Sequence, residues 1–245
     1  MSSPEAKDGG PDTAARAAAG RSDPFDVSPR AAGALGLGAT AVILLGALVT
    51  AIPYVGYAGE GYSPLNHFIS ELGETGRSQL APVFNAGIVI GAIGLGLFLL
   101  ILSRRLTGRY RPALMLAGIV AGTSGALVGI FPMDTHAVHR LVSSVFFCTG
   151  WIVVAVFSVW LARRRPSGYP RWLLAPGAIS VAIFFVFLAV YSTYRPIDPD
   201  APIVVRSAIW TVPLLEWASL LSLLLWFVCV SLVLVRRPTW PSTER

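Results

Sequence analysis

Six long apolar runs constrain this chain more than any other feature. A helix rising 1.5 Å per residue needs about 20 apolar residues to cross about 30 Å of hydrocarbon. Runs of that length fall at 31–53, 81–102, 112–131, 141–162, 172–191 and 208–235. Only 13% of the 245 residues are charged, against about 25% in a soluble domain. The reading is an all-α fold, an integral membrane six-helix bundle. Prolines at 176, 196, 199, 202 and 213 blur the ends of the last two runs, and Glu216 sits within the sixth. Residues 1–30 are poor in large apolar side chains and are expected to form a disordered tail. Residues 236–245 form a second short tail. The first apolar run starts too late and runs too long for a signal peptide.

The loops orient the bundle. Fifteen basic residues precede the first run, fill the second and fourth loops (Arg104 to Arg111 and Arg163 to Arg171) or follow the last run. Only Arg77, Arg140, Arg195 and Arg206 fall on the other side. The positive-inside rule then places both termini in the cytoplasm of a multi-pass protein of the cell membrane. The net charge of +6 is therefore a topology signal, and no nucleic acid is expected as a partner. Glu60, Glu71, Glu74, Asp134, Asp198, Asp200, Glu216 and all three histidines map to the outer side or its edge, whereas the loops carrying the arginines contain no Asp, Glu or His. Chemistry that needs such groups belongs outside.

Gly87 and Gly91 form a GxxxG pair in the second run, and Gly118, Gly122, Gly125 and Gly129 line the third. Small residues let helix backbones approach where lipid removes the hydrophobic drive to associate, so a packed seam is expected along the third span. Cys148 and Cys229 lie inside apolar runs without metal-ligand spacing and read as buried small hydrophobes.

Two polar segments interrupt the apolar sequence: Ser63 to Arg77, holding Asn66, His67, Ser70 and Glu71, and Phe131 to Arg140, holding Asp134, His136, His139 and Arg140. Asp134 follows Pro132 ahead of an apolar run, the pattern of a helix N-cap, and capping is favoured over metal ligation. A helix starting near Thr135 would put His136 and His139 on one face, with Ser143 a turn beyond. His67, Ser70 and Glu71 have the same spacing. If the two faces met, His67, His136 and His139 with a carboxylate would suit zinc. No other cofactor is expected. The favoured alternative is a polar network at the membrane interface, with histidine or Arg140 pairing with Glu71, or Arg140 reaching Glu74 or lipid phosphate. Glu216 should face the bundle, with Arg206, His67 or His139 as partner, and could carry protons. No nucleophile elbow, phosphate loop or dinucleotide fingerprint is present, so the reading leans away from an enzyme.

N-H-F-I-S-E-L-G at Asn66–Gly73, F-N-A-G-I at Phe84–Ile88 and G-I-F-P-M-D-T-H-A-V-H at Gly129–His139 resemble the prokaryotic membrane family catalogued as domain of unknown function 998. The resemblance covers about 31–235 and implies a six-span layout without implying an activity. The I-S-E-L-G loop is also distantly similar to that of the DRAM-like membrane proteins. The inventory of three His and an Asp is similar to that of alkaline-ceramidase-type hydrolases, although those have seven spans and a late HxxxH pair. The resulting expectation is a membrane protein with an extracytoplasmic polar cap, structural or lipid-interacting, whose partners are membrane lipids. A metal-dependent lipid hydrolase and a small-solute or proton-coupled transporter are the alternatives. No feature of the sequence names a protein partner.

Overall fold

A computed structural model describes residues 27–194 and 206–241. Most of the expected tail, together with Arg195, Asp198 and Asp200, lies outside the described residues. Six long helices form the body: α1 (Pro29–Ala51), α2 (Ala81–Ser103), α3 (Tyr110–Ile130), α4 (Ala137–Arg164), α5 (Leu174–Thr193) and α6 (Thr211–Val235). Three short 3-10 turns, Ile69–Gly73, Met133–Thr135 and Arg171–Leu173, complete the described structure, which contains no strand. All six helices are long and apolar enough to cross a membrane. The chain is a multi-pass helical membrane protein.

Local chemistry explains where several helices start. Ser28 Oγ accepts from the amide of Ala31 and Pro29 occupies the first turn of α1, where a missing N–H costs nothing. Proline also stands in the first turn of α2. The first helix thus begins inside the segment expected to be a tail. α4 begins at Ala137, ahead of its apolar run, so His139 and Arg140 are helical.

Each helix packs on its neighbours in sequence and α6 returns to α1, closing a ring. The glycines form the tightest seams. A Cβ on Gly122 would stand 3.0 Å from the Cα of Gly96, and one on Gly118 would meet Leu99 at 2.9 Å. One on Gly129 would meet the Asn85 carbonyl at 2.6 Å. Gly87 faces the Val42 carbonyl of α1 at 3.2 Å. The third-span glycines therefore join α3 to α2, and the GxxxG pair joins α2 to α1. Phe98, Phe157, Trp160, Phe184, Phe187 and Trp226, none more than 2% exposed, fill the interior. Leu48, Ile90, Leu116, Leu141, Phe185 and Leu225 point outward, as lipid contact requires. Cys148 is exposed on this outer surface and Cys229 is partly so, so neither is the buried hydrophobe that the sequence suggested.

Candidate functional site

The loops joining α1 to α2 and α3 to α4, with residues 206–210 ahead of α6, gather at one end of the bundle. Their centre is Glu71, on the 3-10 turn Ile69–Gly73 and only 2% exposed. A carboxylate that deep needs a partner and further donors. Arg206 Nη1 donates to Oε1 at 2.9 Å and Nη2 to Oε2 at 2.8 Å. The Tyr54 hydroxyl donates to Oε2 at 3.1 Å, and the Phe68 amide to Oε1 at 2.8 Å. The two-pronged guanidinium geometry is the strong form of such pairs. Burial alone would lower the affinity of Arg206 for its proton, but Glu71 outweighs it and the pKa rises. Burial and the Glu71 carboxylate push the Tyr54 phenol well above its usual value.

His67, 1% exposed, is enclosed by Tyr54 and Tyr62, with ring centres 5.5 and 5.2 Å away. Its Nδ1 lies 2.8 Å from Asn66 Oδ1, and its Nε2 lies 3.4 Å from Glu60 Oε1. Burial raises the Glu60 pKa, but its own amide, that of Ala58, His67 and Arg206 together lower it. Asn66 ties the loop to the last segment: its Nδ2 donates to the Ser207 carbonyl at 3.0 Å, and its own carbonyl accepts from Arg206. The Trp210 amide donates to the Leu65 carbonyl at 2.8 Å.

The motif segments meet here. Asn85, in the first turns of α2, donates to the Gly73 carbonyl at 3.0 Å. A Cβ on Gly73 would collide with Asn85 Oδ1, which accounts for glycine ending that loop. Ser70 Oγ donates to Met133 Sδ at 3.7 Å, and Asp134 accepts from the hydroxyl and amide of Thr75.

Several expected pairings are replaced. Asp134 is no N-cap: it lies on its own 3-10 turn and bridges to Thr75, while His136 takes the cap position with a φ of 37° and no side-chain cap bond. His136 and His139 therefore do not share a face. His136 is exposed, whereas His139 is buried with Nδ1 on the Phe131 carbonyl at 2.8 Å. Among the described residues no three His, Cys, Asp or Glu side chains are grouped to hold a metal ion. His67 pairs with Glu60 rather than Glu71. Arg140 is exposed, with no ion pair among the described residues. Arg206, expected as a partner of Glu216, goes to Glu71. Glu216, 7% exposed in the second turn of α6, instead accepts the Ile69 amide on Oε2 at 2.8 Å. Tyr54 and Tyr62 carried no sequence signal beyond their proximity to the polar segments, whereas Asn85 stands in the F-N-A-G-I motif.

Beneath this cap a cavity of about 90 Å³ runs inside the ring. Its polar lining is Ser70, His139, Ser143 and Glu216; the rest is apolar, including Leu95, Leu99, Phe147, Leu220 and Phe227. On α2 the lining reaches from Phe84 to Leu99, and on α4 from His139 to Val153, about 20 Å at 1.5 Å per residue. The lining is therefore elongated along the helices.

These features define a class, a six-span membrane protein with a polar network among its loops at one end and a largely apolar cavity among its helices. The chain belongs to the family described as protein of unknown function (DUF998), whose model matches residues 40–233. No curated protein and no solved structure matches it.

Proposed function

We propose that this protein is a lipid-binding module that takes the apolar chain of a membrane amphiphile into the cavity under its cap. The carrying observation is the lining of that cavity, apolar side chains with Ser70, His139, Ser143 and Glu216 as its polar groups. About 90 Å³ is well short of the roughly 300–1,000 Å³ of pockets that enclose whole ligands, so only part of the chain enters, held by apolar burial and a few placed polar contacts. Ser70 and Ile69 form part of the cavity wall, so the Glu71–Arg206 pair that holds their turn also holds that part of the wall.

The cap is extracytoplasmic and both termini are cytoplasmic in this reading, in a protein of the cell membrane. The support is the concentration of arginine at the opposite end. A reporter fused to the C-terminus, active only in the cytoplasm, checks the orientation.

The test of binding compares lipid co-purified in mild detergent with the wild type and with Leu220→Trp, which fills the cavity from α6. One amphiphile retained by the wild type and missing from a monodisperse, thermally stable Leu220→Trp protein is the expected result. Equal lipid in both would sink the reading.

A further inference from the structure

The donors of Ser70, His139 and Ser143 are already engaged, and what remains on each is an acceptor. His139 Nδ1 faces the Phe131 carbonyl at 2.8 Å. A carbonyl only accepts, so Nδ1 carries the proton and, in the neutral ring, Nε2 is an acceptor. The Ser143 hydroxyl donates to the His139 carbonyl at 2.7 Å, which leaves its lone pairs. The Ser70 hydroxyl donates to Met133 Sδ, with the same consequence. Glu216 receives the Ile69 amide on Oε2, and its Oε1 has no partner among the described residues. Arg206 is engaged by Glu71, Asn66 and Glu60, and Arg140 is exposed.

His139 lies in the first turn of α4 and Glu216 in the second turn of α6, both at the capped end. A ligand lying in the cavity therefore meets acceptors at one end and apolar side chains along the rest. Acceptors buried without donors are costly, and a buried carboxylate more so. A head that donates hydrogen bonds removes that cost, and a positive one also balances Glu216. A carboxylate or phosphate head would add acceptors to acceptors.

Resting on the chain-binding reading above, we infer that the ligand is a single-chain amphiphile with a hydrogen-bond-donating head, an amine or a hydroxyl, seated at Glu216 and His139.

The experiment is native mass spectrometry of the full-length protein in detergent with four probes of one chain length: hexadecylamine, hexadecanol, palmitate and hexadecyl phosphate. The amine and the alcohol bind at least about tenfold more tightly than the two anions, as donation to buried acceptors dictates. In Glu216→Gln the advantage of the amine over the alcohol disappears while both chains stay bound. His139→Leu, which keeps an apolar wall, weakens the alcohol and serves if the glutamine variant is not monodisperse. Anions binding as well as the amine, or an amine preference unchanged in Glu216→Gln, overturn this inference and leave chain binding standing. Failure of all four probes to bind the wild type overturns chain binding itself.

Discussion

The two ends of the bundle handle charge in opposite ways. At the cap, carboxylates meet partners drawn from distant parts of the chain: Glu71 with Arg206, Asp134 with Thr75, Glu216 with the Ile69 amide. At the other end the loops between helices carry arginine and no Asp, Glu or His, and Arg163, Arg164 and Arg165 are exposed. Charge that is buried and paired fixes tertiary structure, because separating the partners leaves an ion out of water. Charge that stays solvated informs topology and does little for stability. One end is held by buried ion pairs and hydrogen bonds; at the other Arg105 lies against Trp240 while Arg163, Arg164 and Arg165 stay solvated.

Glu71→Ala should break the comparison hardest. It strands the Arg206 guanidinium and the Tyr54 hydroxyl, and removing one partner of a buried pair costs about 3–5 kcal/mol. Thermal unfolding in detergent should record a large drop, and the cap loop should become sensitive to protease; an unchanged midpoint would contradict the assigned role. Gly122→Val comes next and tests the bundle independently of charge. Its added atoms meet the Gly96 backbone, and such overpacking costs about 1–3 kcal/mol, read by the same unfolding curve. Asp134→Ala removes an exposed bridge between the two motif loops, worth about 1 kcal/mol, and should loosen exchange-protected amides near Thr75 without disturbing α4, since Asp134 does not cap it. Arg163→Gln sits at the bottom of the series, within about 0.5 kcal/mol of the wild type. A loss there as large as at Glu71 would erase the distinction between the two ends.

Acid–base behaviour sharpens the same point. Burial raises the Glu74 carboxyl above its ordinary value, against hydrogen bonding from Tyr57 and the charge of Arg77. A carboxyl whose folded pKa is raised contributes stability below its unfolded pKa, and that contribution is lost as pH rises through the folded value. Glu74→Gln should therefore be neutral or slightly stabilising above the ordinary carboxylate range while keeping an acceptor for Tyr57. Unfolding midpoints collected across pH for both proteins provide the check.

His136 and His139 show why the site was only partly legible. Their spacing predicts a shared face, but that presumes both lie inside the helix. The chain instead reverses at His136 through a φ of 37°, so one ring goes to solvent and the other into the protein. The same holds for Asp134: an acidic residue two after Pro132 and ahead of an apolar run fits an N-cap locally, but Asp134 instead accepts from Thr75, far away in sequence. Asn66, His67 and Glu71 were recognisable as cap residues because polar groups between apolar runs stand out. Tyr54 and Tyr62 were not, because tyrosine near a helix end is ordinary, and the pairing of Arg206 with Glu71 and of Glu60 with His67 has no local signal.

The sequence by itself determined the six spans, their order, the glycine seam of α3 and the separation of acidic from basic ends. Those properties are additive over neighbouring residues: apolar length sets a crossing, and small side chains at helical spacing set a face. Only the tertiary structure decided which carboxylate meets Arg206, which backbone amide meets Glu216, and that Ser70, His139, Ser143 and Glu216 line one cavity. Glu71 and Arg206 are 135 residues apart, and Ile69 and Glu216 are 147 apart. Closing such loops depends on the packing of the whole ring, to which no local pattern of residues corresponds.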